Sequence, residues 1–309
     1  MPARRPLSLA AAALTLGLLG SACTVDDGTS SEPSSQTSVS LAPRDTDLAA
    51  QVPDSFQGRT LVWGASENPP YVEITQSGDF QGIAVDLARQ LESMLGVKIT
   101  FRSSTLDATI PGIQSGRLDL SGPAGDFVER QELVDFSDVA QSNVTLLLRA
   151  DDDFDPTSID DLCGTTVGVQ KGAGTQNVME AVRAACTKRG EDAVEVDTYA
   201  DLSQADLAIL SGRVQAVAAP TAPNSLAAAQ DDRFRVVTVE DMQSLPAATA
   251  TYGIETARGS GMAEVITKAL RTLQEDGTYA AIFEKWGVPG ATIDADELVV
   301  NGSTQKQAG

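Results

Sequence analysis

The chain has 309 residues, enough for one large domain or two lobes of ordinary size, and 42% of them are hydrophobic. With 43 acidic against 22 basic residues its net charge is −21, which excludes the basic footprint that a nucleic-acid binder needs. There is no histidine, so the commonest general base and the commonest metal ligand are missing, and neither a metal nor a cofactor is expected.

The elements follow in chain order. Residues 1–22 read as an export signal: Arg4 and Arg5 form a basic start, and 7–20 is an apolar run too short to span a bilayer as a stable anchor. The following "GSAC" resembles the lipobox of bacterial lipoproteins, which makes Cys23 the lipid-modified first residue of the mature chain. The alternative is an ordinary cleaved signal with an incidental cysteine. Residues 23–57 are rich in Ser, Thr, Asp, Gln and Pro and read as a disordered tether. Then "RTLVWGAS" (59–66) is an apolar strand, with Trp63 as a core residue. "GIAVDLARQLESMLG" (82–96) is an amphipathic helix stopped by Gly96, and "VKITF" (97–101) is a strand. A short helix at 110–114 leads into "SGRLDLS". The rhythm recurs: strand 165–170, helix 174–190, strand 193–199, helix 202–210, then "SGRVQAVAA" (211–219). "SGR" thus falls at the same place in two βαβ halves, which predicts two similar α/β lobes with a ligand crevice at the strands' carboxyl ends. Residues 291–309 read as a loose tail. If Cys23 carries lipid, Cys163 and Cys186 remain as a pair for a disulfide in an oxidising compartment, two buried thiols being the alternative.

Several segments, in order, resemble the family 3 extracellular solute-binding proteins, the receptors of polar amino-acid ABC transporters. They are "NPPYVEI…GDFQGIAVDLARQLESMLGVKITF", "TLDATIPGIQSGRLDL", "ERQELVDFS", "LCGTTVGVQKGAG" and "EDGTYAAIFEKWG". The resemblance implies a type II periplasmic-binding-protein-like fold: two mostly parallel sheets flanked by helices, joined by two hinge strands and closing on a ligand. By similarity one lobe is 58–145 plus 250–290 and the other is 146–249, with crossings at 143–150 and 247–255. It further implies an exported monomer, anchored through Cys23 to the outer face of the cytoplasmic membrane. This monomer would deliver a small carboxylate-bearing solute, an amino acid or an analogue, to an ABC permease.

Arg130 carries the chemistry. The small residues Gly122 to Gly125 let a ligand approach the backbone, and "DFVE" (126–129) has capping-box spacing, with Asp126 as N-cap and Glu129 at N3. An arginine in the first turn of that helix can give a carboxylate two parallel hydrogen bonds. The family's clamp arginine falls on the same position. The alternative is a surface arginine paired with Glu129, Glu132 or Asp135. The Gly-rich turn "KGAGTQ" (171–176) supplies the opposite jaw, with Gly174 and Thr175 as the best matches and Ala173 and Gln176 beside them. By resemblance Tyr71 covers the ligand, Asn68 lies next to it, and Leu106 replaces an aromatic wall. Where the family places an acid for the α-ammonium, this chain has Gln215 and then Pro220-Thr221. Either Glu67 or Asp126 serves instead, with Thr221 at the old position, or the ligand lacks an α-amino group, because an ammonium buried without a carboxylate is costly. No catalytic residue is assigned. A dehydratase-like enzyme would need a nucleophile–base pair that is not visible, and a free-standing sensor of a membrane partner is the other alternative.

Overall fold

The computed structural model describes residues 39–245 and 247–303. The export signal, Cys23 and most of the expected tether fall outside the described residues. The chain runs through α1 (Thr46–Ala49), β1 (Thr60–Ala65), the short pair β2 (Glu73–Ile74) and β3 (Phe80–Gln81), then α2 (Ile83–Leu95) and β4 (Lys98–Ser103). It continues with α3 (Leu106–Gln114), β5 (Leu120–Gly125), α4 (Val128–Gln131) and the 16-residue β6 (Val134–Arg149). A second set follows: β7 (Thr166–Gln170), α5 (Gly174–Arg189), β8 (Glu195–Tyr199), α6 (Leu202–Leu210), β9 (Ala216–Pro220), α7 (Thr221–Gln230) and β10 (Phe234–Val237). The chain then returns through β11 (Thr249–Ala257), α8 (Met262–Glu275) and α9 (Thr278–Lys285).

One continuous sheet has the order β4-β1-β5-β11-β6-β9-β7-β8, with β10 on β6 as well. Its two ends are parallel, β4-β1-β5 on one side and β9-β7-β8 on the other. Between them β6 changes partner: up to Asn143 it pairs with β11, and from Val144 onward with β9 and β10. Helices cover both faces, as parallel strands require. The first core packs Leu61 and Trp63 of β1 against Leu87 and Leu91 of α2, Leu270 of α8 and Phe283 of α9. In the second half β6 alternates strictly: Leu146 and Leu148 join the core with Val167, Val178 and Val182, whereas Leu147 joins the core with Leu202 and Ile209 on the other face.

The helix stops follow the sequence pattern. Gly96 and Gly190 end α2 and α5 in the left-handed conformation that only glycine adopts cheaply. The two "SGR" turns are the same structure: Gly116 and Gly212 have φ of +69° and +71°. In each turn the next two amides donate to one carbonyl, Gly112 O in the first and Ala208 O in the second.

Two expectations are corrected. The expected tether ends earlier, because Leu48, Val52 and Phe56 are buried in the first core and Ala42 and Ser93 tie the segment to α2. Their i, i+4, i+8 spacing supplies the apolar stripe that the polar composition hides. The expected loose tail is docked over 292–303. Ile293 and Leu298 are buried, Val300 bridges Ser137, and Asn301 donates its backbone N–H to Phe136 O while its side-chain Oδ1 accepts from Phe136 N. Gly302 N donates to Asp138 and Ser303 N to Asp126. Backbone pairing needs no apolar pattern, so a polar segment can dock this way. Cys163 and Cys186 are joined, with Cα atoms 5.6 Å apart, fastening the turn before β7 to the end of α5.

Candidate functional site

Tyr71 owes its position to the backbone. The carbonyls of Pro70 and Tyr71 accept from the amides of Ile83 and Ala84, closing the amino end of α2. Gly82 between them has φ of +123°, and a Cβ there would stand 2.4 Å from Tyr71 O. The Tyr71 ring is thereby fixed in the crevice, buried, with Tyr252 of β11 beside it at a centroid distance of 5.9 Å. The aromatic wall absent at Leu106 is supplied by Tyr252, which sequence reasoning missed because it sits in a return strand far along the chain. Burial pushes the Tyr71 hydroxyl well above its ordinary range and that of Tyr252 up to about 12, against an opposing pull from Arg130. Trp63 is a core residue as expected: it stacks on Phe101 and donates its Nε1–H to Gly122 O at 3.0 Å.

Arg130 reaches across the crevice. One guanidinium nitrogen donates to Gly125 O at 3.1 Å on its own side, and another donates to Gly172 O on the far side. Its cation lies over the Phe127 ring at 5.1 Å. Pairing with Glu129, Glu132 or Asp135 is not what holds it. The capping box expected over 126–129, with Asp126 as N-cap and Glu129 at N3, does not form. The helix α4 starts at Val128 with Phe127 as N-cap and no side-chain cap. Asp126 is instead fully buried, accepting from Gln131 Nε2 at 2.6 Å and from Ser303 N at 3.1 Å.

Phe127 changes the meaning of two glycines. A Cβ on Gly174 would stand 2.3 Å from Phe127 Cζ, and one on Gly125 would stand 2.5 Å from Phe127 Cε2. Both are small so that this ring can pass between the two halves. Gly122, at φ of +95°, has a different constraint: a Cβ there would stand 2.7 Å from Gly253 O of β11.

These groups enclose a cavity of about 30 Å³ between the halves. Arg130, Tyr71, Asn68, Leu106, Gly122 and Gly125 line it from one side, and Ala173, Gly174 and Thr175 from the other. Ser66, Ser121, Gln170, Leu202, Pro220 and Tyr252 also line it and were not among the residues assigned from the sequence. Four buried polar atoms of the lining have no hydrogen-bond partner: Asn68 Oδ1, Tyr71 Oη, Ser121 Oγ and Thr175 Oγ1. Such atoms are costly unless something completes them. The halves also meet directly, through the Lys171–Asp107 ion pair at 2.7 Å and the Gln170 Nε2 donation to Ser66 Oγ at 3.2 Å. Lys171 first, and then Thr105, hold the Asp107 carboxyl below its ordinary range.

Two assigned residues lie elsewhere. Gln176 turns back on its own loop, accepting from Gly172 N at 3.4 Å. Thr221 opens α7 and donates its hydroxyl proton to Asn143 O of the crossing strand, so it lines a separate cavity beside the hinge. Gln215 is structural, accepting from Thr166 N. Neither acid proposed for an ammonium is in the lining. Asp126 is spent as described. Burial raises the Glu67 pKa, with the Ile74 backbone opposing and Asp201 and Glu73 adding to the rise. Arg130 is the only charged side chain in the lining among the described residues.

Known proteins share the sequence and the fold of this chain. An arginine-binding protein of Corynebacterium glutamicum, ArgT, is 28% identical over 261 residues, covering 82% of this chain and 83% of the relative. The ABC transporter glutamine-binding protein GlnH of Bacillus subtilis is 28% identical, covering 68% and 74%. Among solved structures, an ancestral arginine-binding protein bound to arginine is 30% identical with a TM-score of 0.63, covering 75% of this chain and 99% of that one. These likenesses give the two-lobed type II fold its name. The model of the bacterial extracellular solute-binding proteins, family 3, matches residues 61–289, and the chain belongs to that family.

Proposed function

We propose that this protein is the extracytoplasmic solute-binding component of an ABC importer and captures an amino acid between its lobes. The observation that carries this reading is Arg130, the single charged group of an interlobe cavity, bonded to main-chain carbonyls of both halves. A ligand carboxylate replaces those carbonyls as the partner of the guanidinium, gaining a charge-assisted and bidentate interaction. The cavity of about 30 Å³ holds about two waters, so a ligand of amino-acid size enters by parting of the lobes and is enclosed as they close. The relatives named above bind arginine and glutamine, which supports an α-amino acid over an analogue lacking the amino group. The unpartnered acceptor Asn68 Oδ1 favours the same ligand class. We read the site as one for binding without turnover. Delivery to a permease and attachment through Cys23 belong to the same proposal. Among the described residues no helix is long and apolar enough to cross a membrane.

The test is a thermal-shift panel of amino acids and their deaminated analogues on the parent and on Arg130→Ala. A micromolar ligand at millimolar concentration raises the parent's melting point, following RT ln(1 + [L]/Kd). Arg130→Ala is expected to lose about 1.5–3 kcal/mol of binding while the ligand-free protein stays folded. An undiminished shift in the variant refutes the clamp. Consumption of the ligand refutes binding without turnover.

A further inference from the structure

Glu255 lies in the middle of β11, opposite Ser121 of β5 and Phe136 of β6, and is fully buried. The hydroxyls of Ser121 and Thr109 are turned toward its carboxyl without closing a fully formed hydrogen bond to either oxygen. Thr109 Oγ1 already donates its proton to Leu106 O at 2.8 Å, so it offers Glu255 only lone pairs. A carboxylate would meet those lone pairs unfavourably, whereas a carboxylic acid donates to them. Burial works in the same direction, raising the Glu255 pKa; Arg130 opposes it first, and then the Ser121 and Thr109 hydroxyls to the extent that they donate to the carboxyl, which Thr109 does not do while its proton is on Leu106 O.

The charged groups around it are few. Arg130 of α4 acts on it through its charge, without an ion pair. Asp138 on β6 is engaged by Gly302 N, Asp107 on α3 by Lys171 and Thr105, and Asp119 before β5 by Arg59. Glu264, Lys268, Arg271 and Glu275 of α8 are exposed.

A neutral Glu255 that donates to Thr109 has its carbonyl oxygen left to accept the Ser121 hydroxyl proton. Ser121 lines the cavity, so its lone pairs then face the ligand, as Asn68 Oδ1 does. A neutral Glu255 also leaves the charge of Arg130 undivided. We propose that Glu255 is a positioning residue: as a neutral acid it reserves Arg130 for the ligand's carboxylate and turns Ser121 into an acceptor for the ligand's amino group. This rests on the reading that the carboxylate is held at Arg130. It explains how a cavity with no carboxylate in its lining receives a zwitterion. Seating the carboxylate disfavours ionised Glu255, so binding takes up a proton at pH values where Glu255 is ionised in the free protein.

The experiment has two arms. Titration calorimetry with L-arginine and with L-glutamine, between about pH 5 and about pH 9, measures affinity for the parent, Glu255→Gln and Glu255→Ala. The parent is expected to weaken as pH rises, by at most about tenfold per pH unit. Glu255→Gln, whose amide also donates to Thr109 and accepts from Ser121, is expected to show no such slope. Glu255→Ala, which leaves Ser121 unoriented, is expected to bind about fivefold to tenfold more weakly at the acid end. In the second arm, infrared difference spectra of the ligand-free parent against Glu255→Gln are expected to show a protonated carboxyl C=O band at neutral pH. Affinity that rises with pH, an equal slope in parent and Glu255→Gln, or no carboxyl band overturns the proposal. Binding of neither amino acid by the parent at any pH instead removes the amino-acid reading, and this inference falls with it. Should Glu255→Gln fail to fold, Ser121→Ala is measured in its place. It is expected to weaken amino acids more than their deaminated analogues, and equal weakening of both overturns the proposal.

Discussion

Gly174→Ala tests whether capture depends on closure around Phe127. The new methyl would stand 2.3 Å from Phe127 Cζ and 2.7 Å from Cε2, where carbon atoms settle at roughly 3.5–4.0 Å. The ring has little room to retreat, because Gly125 packs against the same Cε2–Cζ edge and Arg130 lies over its face at 5.1 Å. Closing the lobes over this methyl therefore costs about 2 kcal/mol, in the range of overpacked cores. The open form has no such overlap and gains a few tenths of a kcal/mol, because alanine is the better helix former at the start of α5. The expected result is affinity weakened about 30-fold with the ligand-free melting point unchanged or slightly higher. Titration calorimetry and thermal melts on the same preparations measure both. Affinity within about twofold of the parent refutes the reasoning, as does a ligand-free protein destabilised by the full 2 kcal/mol or so.

Three further outcomes follow. Asp206, pushed up to about 7 by burial and then by Asp201, resists ionisation in the folded protein, so its contribution to stability is lost as pH rises from about 4 through about 7. Asp206→Asn is therefore expected to match the parent near pH 4 and exceed it above pH 7, by on the order of 1–3 kcal/mol after allowance for partial exposure, in denaturant melts across pH. Asp86 accepts from Lys285 Nζ at 2.6 Å and Trp286 Nε1 at 2.7 Å, fastening the end of α9 to α2. Asp86→Ala strands a nearly buried ammonium and is expected to cost about 3 kcal/mol in the same melts. Reduction of the Cys163–Cys186 bridge is expected to cost roughly 3 kcal/mol, and alkylation without reductant to leave both cysteines unlabelled.

Much of the fold was legible because it rests on local rules. The apolar stripe of α2, its glycine stop and the paired "SGR" turns need only the residues within each segment. The site was legible where one chemistry dominates, as at Arg130. What escaped depends on distant parts of the chain. Phe127 looked like the filling of a capping box, because "DFVE" has the spacing of one; Asp126 is drawn away by Ser303, which lies 177 residues later. The sequence places Glu255 only at the end of the crossing at 247–255; its burial follows from the strands on both sides of β11, β5 and β6, which come from distant parts of the chain. Residues 292–303 dock through two isolated apolar anchors, Ile293 and Leu298, and through polar bonds from 299 to 303 to residues far back in the chain, a pattern with no local periodicity to betray it.

The change of partner along β6 gives the molecule a mechanical grain. One unbroken peptide runs through both lobes, and between Asn143 and Val144 its hydrogen bonds pass from β11 to β9. A torque between the lobes is absorbed by the dihedral angles of a few residues at that seam, which twist at little cost because no ladder has to break. A pull along β6 meets covalent backbone and ladders loaded in shear, many bonds at once. A pull across it peels the same ladders one bond at a time. The protein is thus compliant in the one direction that opens the crevice and stiff along the axis that joins its halves.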